Sequence, residues 1–422
     1  VRPAVSVIFV SVVLAAFVAG CGGADRSVPG RPLIVQDDAE LLFRSPARVR
    51  AGVELLKAVG ADWVRLTAFW SLIAPQPGAV TAPRFDASDP DAYGAAAWRP
   101  LDTAVRAARD AGLKVAIDVG FWAPRWAVAR PAKPADRQRD GIDPQRFSDF
   151  ASAVARRYPD AVAFTVWNEP NSATFLLPQP ADARTPGSAI VASADEYRAM
   201  LDLAVPAIRH AAPQALVLIG GLAPRAAANV VAPLRFLRDL ACVDDALRPR
   251  HDGACARFAP LPGDGFAHHP YPAPGARPAD PPDGADNVPV SGLAHLADVL
   301  DALHARGRTQ ERLAVWVNEF GLETNPPDPT QPLSPVEAAR QWVQSRTIAL
   351  RDPRVRSFSQ FLIRDLPPRE GVPPAQRWAD VQSGLLDVAG KPKPLLAAVA
   401  RVSGGDVVTA EAAARVAAQA GG

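Results

Sequence analysis

Short apolar, β-branched runs recur along this chain at regular intervals. They fall at residues 33–35, 63–66, 114–119, 162–166, 216–220, 265–268, 313–317 and 355–362. Between them lie stretches with apolar residues at helical spacing: 48–59, 101–111, 145–157, 195–211, 230–240, 293–306 and 335–350. Continuous apolar strands alternating with amphipathic helices predict a parallel sheet covered on both faces. Eight such units predict a closed α/β barrel, a single (β/α)8 TIM barrel, over residues 33–402.

Helix punctuation agrees with this pattern. Gly60 and Gly112 stand just past predicted helices, where a left-handed cap is needed. Ser45-Pro46 and Ser334-Pro335 supply an N-cap followed by a first-turn proline. The long connections, 71–97, 172–194, 272–291 and 366–380, all follow strands. In a barrel those loops form the face that carries the active site. The Ala-rich tail, 403–422, is expected to be a weak helix or to fray, and carries no assigned role.

Composition narrows the function. Hydrophobic residues make up 48% and charged residues 21% of 422, with a net charge of +2. This is ordinary globular composition, without a bulk electrostatic case for nucleic acid or acidic polymers. The first twenty residues differ. Arg2 precedes an apolar run from residue 4 to 18, ending in Val18-Ala19-Gly20-Cys21. That has the length of a signal h-region. Small residues before a cysteine resemble the bacterial lipobox, which implies lipidation at Cys21 after removal of residues 1–20. Residues 21–32 then form a flexible tether. The expectation is an exported lipoprotein, anchored to the membrane on the extracytoplasmic side of a bacterial cell. An ordinary cleaved signal peptide is the alternative. Of the remaining cysteines, Cys242 and Cys255 lie in one irregular stretch, and a disulfide between them suits an oxidising compartment. Two free thiols are the other reading.

Two strands end in glutamates. One reads Trp167-Asn168-Glu169-Pro170, the other Val317-Asn318-Glu319-Phe320-Gly321. A carboxylate at the end of an apolar strand is costly unless it is paired or used. Each glutamate alone could be a rim salt bridge. Together, on the fourth and seventh strands of a barrel, they fit glycoside hydrolysis, in which one carboxyl group donates a proton and the other attacks or stabilises the anomeric centre.

These two strand ends resemble those of clan A glycoside hydrolases, in particular the family 5 cellulase-like and family 39-like groups. The resemblance extends to Ala61-Asp62-Trp63-Val64-Arg65, to the loop at Trp70 and Trp98, to His268-His269-Pro270-Tyr271, and to Gly384-Leu385-Leu386-Asp387 with Lys391 to Pro394. It implies Glu169 as acid/base and Glu319 as nucleophile. It implies Arg65 as the cation beside Glu319, His269 lining the sugar site, Tyr271 hydrogen-bonding the nucleophile, and Asn168 on the sugar 2-hydroxyl. Arg65 could instead pair Asp118. Trp122 and Trp126, in the loop after the third strand, could stack on sugar or fill the core. One departure stands out: the eighth strand carries no tryptophan at its end. Phe361, Gln360 or Asp365 must stand in.

The resemblance implies a retaining hydrolase of a β-linked oligo- or polysaccharide, monomeric, with no cofactor, no metal and no nucleic-acid partner. Its rivals are a transglycosylase using the same site, a catalytically silent glycan-binding lipoprotein, and a structural envelope lipoprotein.

Overall fold

The computed structural model describes residues 30–180 and 191–420. The predicted signal segment, Cys21 and nearly all of the tether lie outside the described residues. Eight parallel strands form the sheet: β1 (Leu33–Gln36), β2 (Trp63–Phe69), β3 (Lys114–Gly120), β4 (Ala163–Val166), β5 (Leu216–Leu222), β6 (Gly265–His268), β7 (Ala314–Val317) and β8 (Phe358–Phe361). Their order is β7-β6-β5-β4-β3-β2-β1-β8. The last seam closes through a Val315–Val355 bridge and the hydrogen bond from Phe361 N to Phe320 O. The chain is thus a (β/α)8 barrel.

Each strand is followed by a helix of the outer ring: α1 (Pro46–Ala58), α2 (Ala95–Asp110), α3 (Pro144–Arg157), α4 (Ala192–Ala211), α5 (Pro233–Leu240), α6 (Leu293–Ala305), α7 (Pro335–Ala349) and α8 (Pro394–Ser403). Ser45, Asp143 and Ser334 cap α1, α3 and α7 by accepting from first-turn amides, each with proline at the first helical position.

The Ala-rich tail is more ordered than its composition suggested. A further helix outside the ring, α9 (Val407–Gln419), is capped by Asp406 and packs on α1. Ala410, Ala414 and Ala417 are buried at helical spacing, where small side chains allow close approach. Gly60, at φ +80°, makes room for this junction: a Cβ there would meet Ser403 O at 2.4 Å.

The barrel interior changes character from bottom to top. Its lower layer is apolar: Ile34, Trp63, Ala116, Ala163, Leu216, Leu218, Ala267 and Trp316 pack as one cluster. Side chains alternate along a strand, so the next inward position is two residues on. Those positions hold Gln36, Arg65, Asp118, Thr165, His269 and Asn318, all buried. A dry floor therefore carries a polar layer directly beneath the active face.

One connection departs from expectation. The link from α5 to β6, residues 241–264, is long and lies on the opposite, N-terminal face. Cys242 and Cys255 are disulfide-bonded within it, and Arg308 anchors it by donating to the carbonyls of Ala241 and Cys242.

Candidate active site

Glu169 leaves β4 through a tight turn. Trp167 and Glu169 both take positive φ, +66° and +38°, a region sparsely populated by non-glycine residues. Trp167 N donates to Val119 O, and Glu169 N donates to Gly221 O at 3.0 Å. The acceptor is available because β5 bulges at Gly220-Gly221, both at positive φ. A Cβ on Gly220 would lie 2.7 Å from Ala267 O. The same bulge lets Leu222 O accept from His269 N. A glycine pair at the end of β5 thus helps position both Glu169 and His269. The dipeptide was visible in the sequence, but only the fold gives it this meaning.

Glu319 follows β7 and sits across the mouth from Glu169. One carboxylate oxygen from each of Glu169 and Glu319 and a ring nitrogen of His269 lie within 4.8 Å of one another. His269 Nδ1 is 3.0 Å from Glu169 Oε1 and 3.8 Å from Glu319 Oε1. Arg65 donates to Glu319 Oε2 at 2.9 Å, and Tyr271 OH donates to Oε1 at 3.0 Å. Burial pushes Glu319 up. The charges of His269 and Arg65, with the hydrogen bonds from Arg65 and Tyr271, outweigh it and hold the carboxyl below its ordinary value. Tyr271 is pushed well above the usual phenol range, by burial first and then by Glu319, so it stays a neutral donor.

Two carboxylate oxygens and a ring nitrogen crowding one place resemble a metal site in shape but not in electrostatics. Both oxygens of Glu319 already accept from protein donors, and one donor is a guanidinium. A cation at this point would compete with Arg65.

Arg65 does both things the sequence left open. It is buried in the polar layer, ion-paired to Asp118 as well as to Glu319. It also donates to Gln36 and, at 3.3 Å, to Asn168 Oδ1. Burial raises the Asp118 pKa against the opposing pull of Arg65. Gln36 was not anticipated; its only signal was a polar residue two positions after Ile34 in an apolar run.

The other candidates divide. His268 points away from the site, bonded to Val288 O at 2.7 Å and lowered by burial to about 3, hence neutral. Trp126 is core, packed on Trp70 and Phe85. Trp122 lines a separate cavity of about 470 Å³ with Phe43, Phe69 and Leu72. Its indole donates to Thr174 O, and the Arg137 guanidinium lies 3.9 Å over the ring. That arginine would have to move before a sugar could stack on the face it covers. At the end of β8, Gln360 is spent on the carbonyls of Phe361, Leu362 and Ser383, and Asp365 on Lys393. Only Phe361 of the three faces the cavity beside Glu319.

The cellulase family, glycosyl hydrolase family 5, matches residues 41–349. Among solved structures, a family 39 glycoside hydrolase from Bacteroides cellulosilyticus WH2 is similar at 18% identity and a TM-score of 0.55, over 88% of this chain and 64% of that one. This chain thus spans under two thirds of that protein. A family 5, subfamily 18 variant from Streptomyces cattleya, in complex with Manβ1-4GlcNAc, is similar at 20% identity and a TM-score of 0.53, over 89% and 80%. A family 39 enzyme from Xanthomonas axonopodis pv. citri is similar at 17% identity and a TM-score of 0.53, over 89% and 67%. None of the curated proteins matches. Identities this low speak for the fold alone, whereas the family match spans most of the chain: the protein belongs to glycosyl hydrolase family 5.

Proposed function

We propose that this protein is a retaining O-glycosidase acting on a β-linked glycan outside the cytoplasm. The observation that carries the mechanism is the approach of the two glutamates, an oxygen of one lying within 4.8 Å of an oxygen of the other. Retaining pairs stand about 5–5.5 Å apart, whereas inverting pairs leave about 6.5–9.5 Å for a water.

In the first step an oxygen of Glu319 bonds to the anomeric carbon as the glycosidic C–O bond breaks. Glu169 gives its proton to the departing oxygen. In the second step Glu169 takes a proton from water, the hydroxide attacks the same carbon, and the bond to Glu319 breaks. His269 Nδ1, 3.0 Å from Glu169 Oε1, orients Glu169 between its two roles. Arg65 and Tyr271 keep Glu319 ionised and aimed. Asn168, its Oδ1 taken by Arg65, offers its amide nitrogen to a sugar hydroxyl.

A β-linkage draws support from the family's name and from the disaccharide bound in the Streptomyces structure. Export draws support from the lipobox-like residues 18–21 and from a disulfide suited to an oxidising compartment. Among the described residues no helix is long and apolar enough to cross a membrane. Anchoring is assigned to lipid on Cys21 on the strength of the lipobox-like residues before it. Proton NMR of the first-formed sugar tests the mechanism: the β-anomer is expected, and an α-anomer overturns it. Intact mass of the mature protein tests the anchor, with an unlipidated terminus beyond residue 21 as the contrary result.

A further inference from the structure

A cavity of about 360 Å³ opens beside Glu319, lined also by Tyr271, Phe361, Arg225, Glu323 and Gln331. It lies within the size range of small-molecule sites, about 300–1,000 Å³. Glu169 is not on its wall. In a retaining reaction the leaving group departs toward the proton donor, so a cavity reached from the nucleophile and away from Glu169 holds the sugar that is retained.

Glu323 is the unexplained group in this cavity. It lies in the loop after β7, four residues beyond Glu319, and is half-buried. Among the described residues it forms no ion pair. Gln331 Nε2 stands 3.5 Å from its Oε2, at the limit of a hydrogen bond, and the same nitrogen is 3.3 Å from Asp328 Oδ2. Lys393, whose charge acts on Glu323, is held by both oxygens of Asp365 at 2.9 Å. A carboxylate kept half-buried without a cation is a cost that loop structure does not require, because an amide would meet Gln331 equally well.

We propose that Glu323 grips the retained sugar by accepting hydrogen bonds from its ring hydroxyls, and so helps determine which glycone the enzyme takes. This rests on the reading of the chain as a retaining glycosidase. The two oxygens of a carboxylate match a pair of neighbouring hydroxyl donors. Phe361, on the wall of the same cavity, offers an apolar face to the C–H side of the ring. Burial, then the charges of Asp328 and Asp365, opposed by Lys393, push Glu323 up to about 7. Arg225, Tyr271 and Glu319 complete the ionisable lining. Hydroxyl donors favour the ionised form, so affinity rises as pH rises through that value and is lost below it.

The test uses p-nitrophenyl β-glycosides of glucose, mannose, galactose and xylose. Glu323→Gln should raise KM about ten-fold on the preferred sugar and change kcat by no more than about two-fold. It should also flatten the fall of KM between roughly pH 6 and pH 8, and narrow the preference among the four sugars. Glu323→Asp should fall between, and unchanged thermal melts show that both variants fold. A Glu323→Gln enzyme with wild-type KM and wild-type pH dependence overturns the proposal and leaves the glycosidase reading standing. A wild type that cleaves none of the four, with a Glu319→Gln form that binds none, overturns both.

Discussion

The Tyr271 hydroxyl donates a 3.0 Å hydrogen bond to Oε1 of Glu319. That bond helps hold the carboxyl below its ordinary value, so its loss must raise the Glu319 pKa. The acid limb of kcat/KM should then move to higher pH in Tyr271→Phe. A hydrogen bond to a charged group is worth about 1.5–3 kcal/mol, so the loss in kcat/KM should be roughly ten- to one-hundred-fold, and steepest at low pH. A pH–rate profile whose acid limb stays in place would show that Tyr271 only packs.

The two glutamates should fail differently. Glu319→Ala should lose activity on every substrate and regain it with azide, giving the inverted glycosyl azide. Glu169→Ala should be spared on substrates whose leaving group needs no proton, with azide giving the retained product. Equal behaviour of the two variants on a good leaving group would sink the role assignment.

Arg65 should be as important to stability as to chemistry. It neutralises two carboxylates at once, and both it and Asp118 are fully buried. Arg65→Met strands those charges and should cost roughly 3–5 kcal/mol in urea denaturation. Adding Asp118→Asn should recover part of that loss. A single-variant cost below about 1 kcal/mol would mean that the layer relaxes around the missing cation.

The disulfide should separate stability from activity. Cys242 and Cys255 are 13 residues apart, a loop whose closure is worth about 3 kcal/mol. The bond lies on the N-terminal face, away from the glutamates. Cys242→Ser with Cys255→Ser should lower the denaturation midpoint and leave kcat and KM alone. A kinetic effect in the folded double variant would mean that the bottom loop couples to the site.

The alternation of strands and helices, the barrel and the two strand-end glutamates are all properties of the sequence taken by itself. Each follows from local rules: period two in strands, period 3.6 in helices, and a charge placed where an apolar run stops. Even the polar layer is legible in retrospect, because Arg65, Asp118 and Asn318 each stand two residues after an inward apolar neighbour. What Arg65 pairs with is not local. Its bond to Glu319 spans 254 positions, and Asp118 competes for the same guanidinium. The sequence left those partners as alternatives, and the barrel makes them simultaneous because its strand ends converge on one axis. The docking of α9, the spending of Gln360 and Asp365 on structure, and the exposure of Glu323 to the cavity have the same origin. They depend on which surfaces meet once the ring of strands has closed, and no periodicity along the chain encodes that meeting.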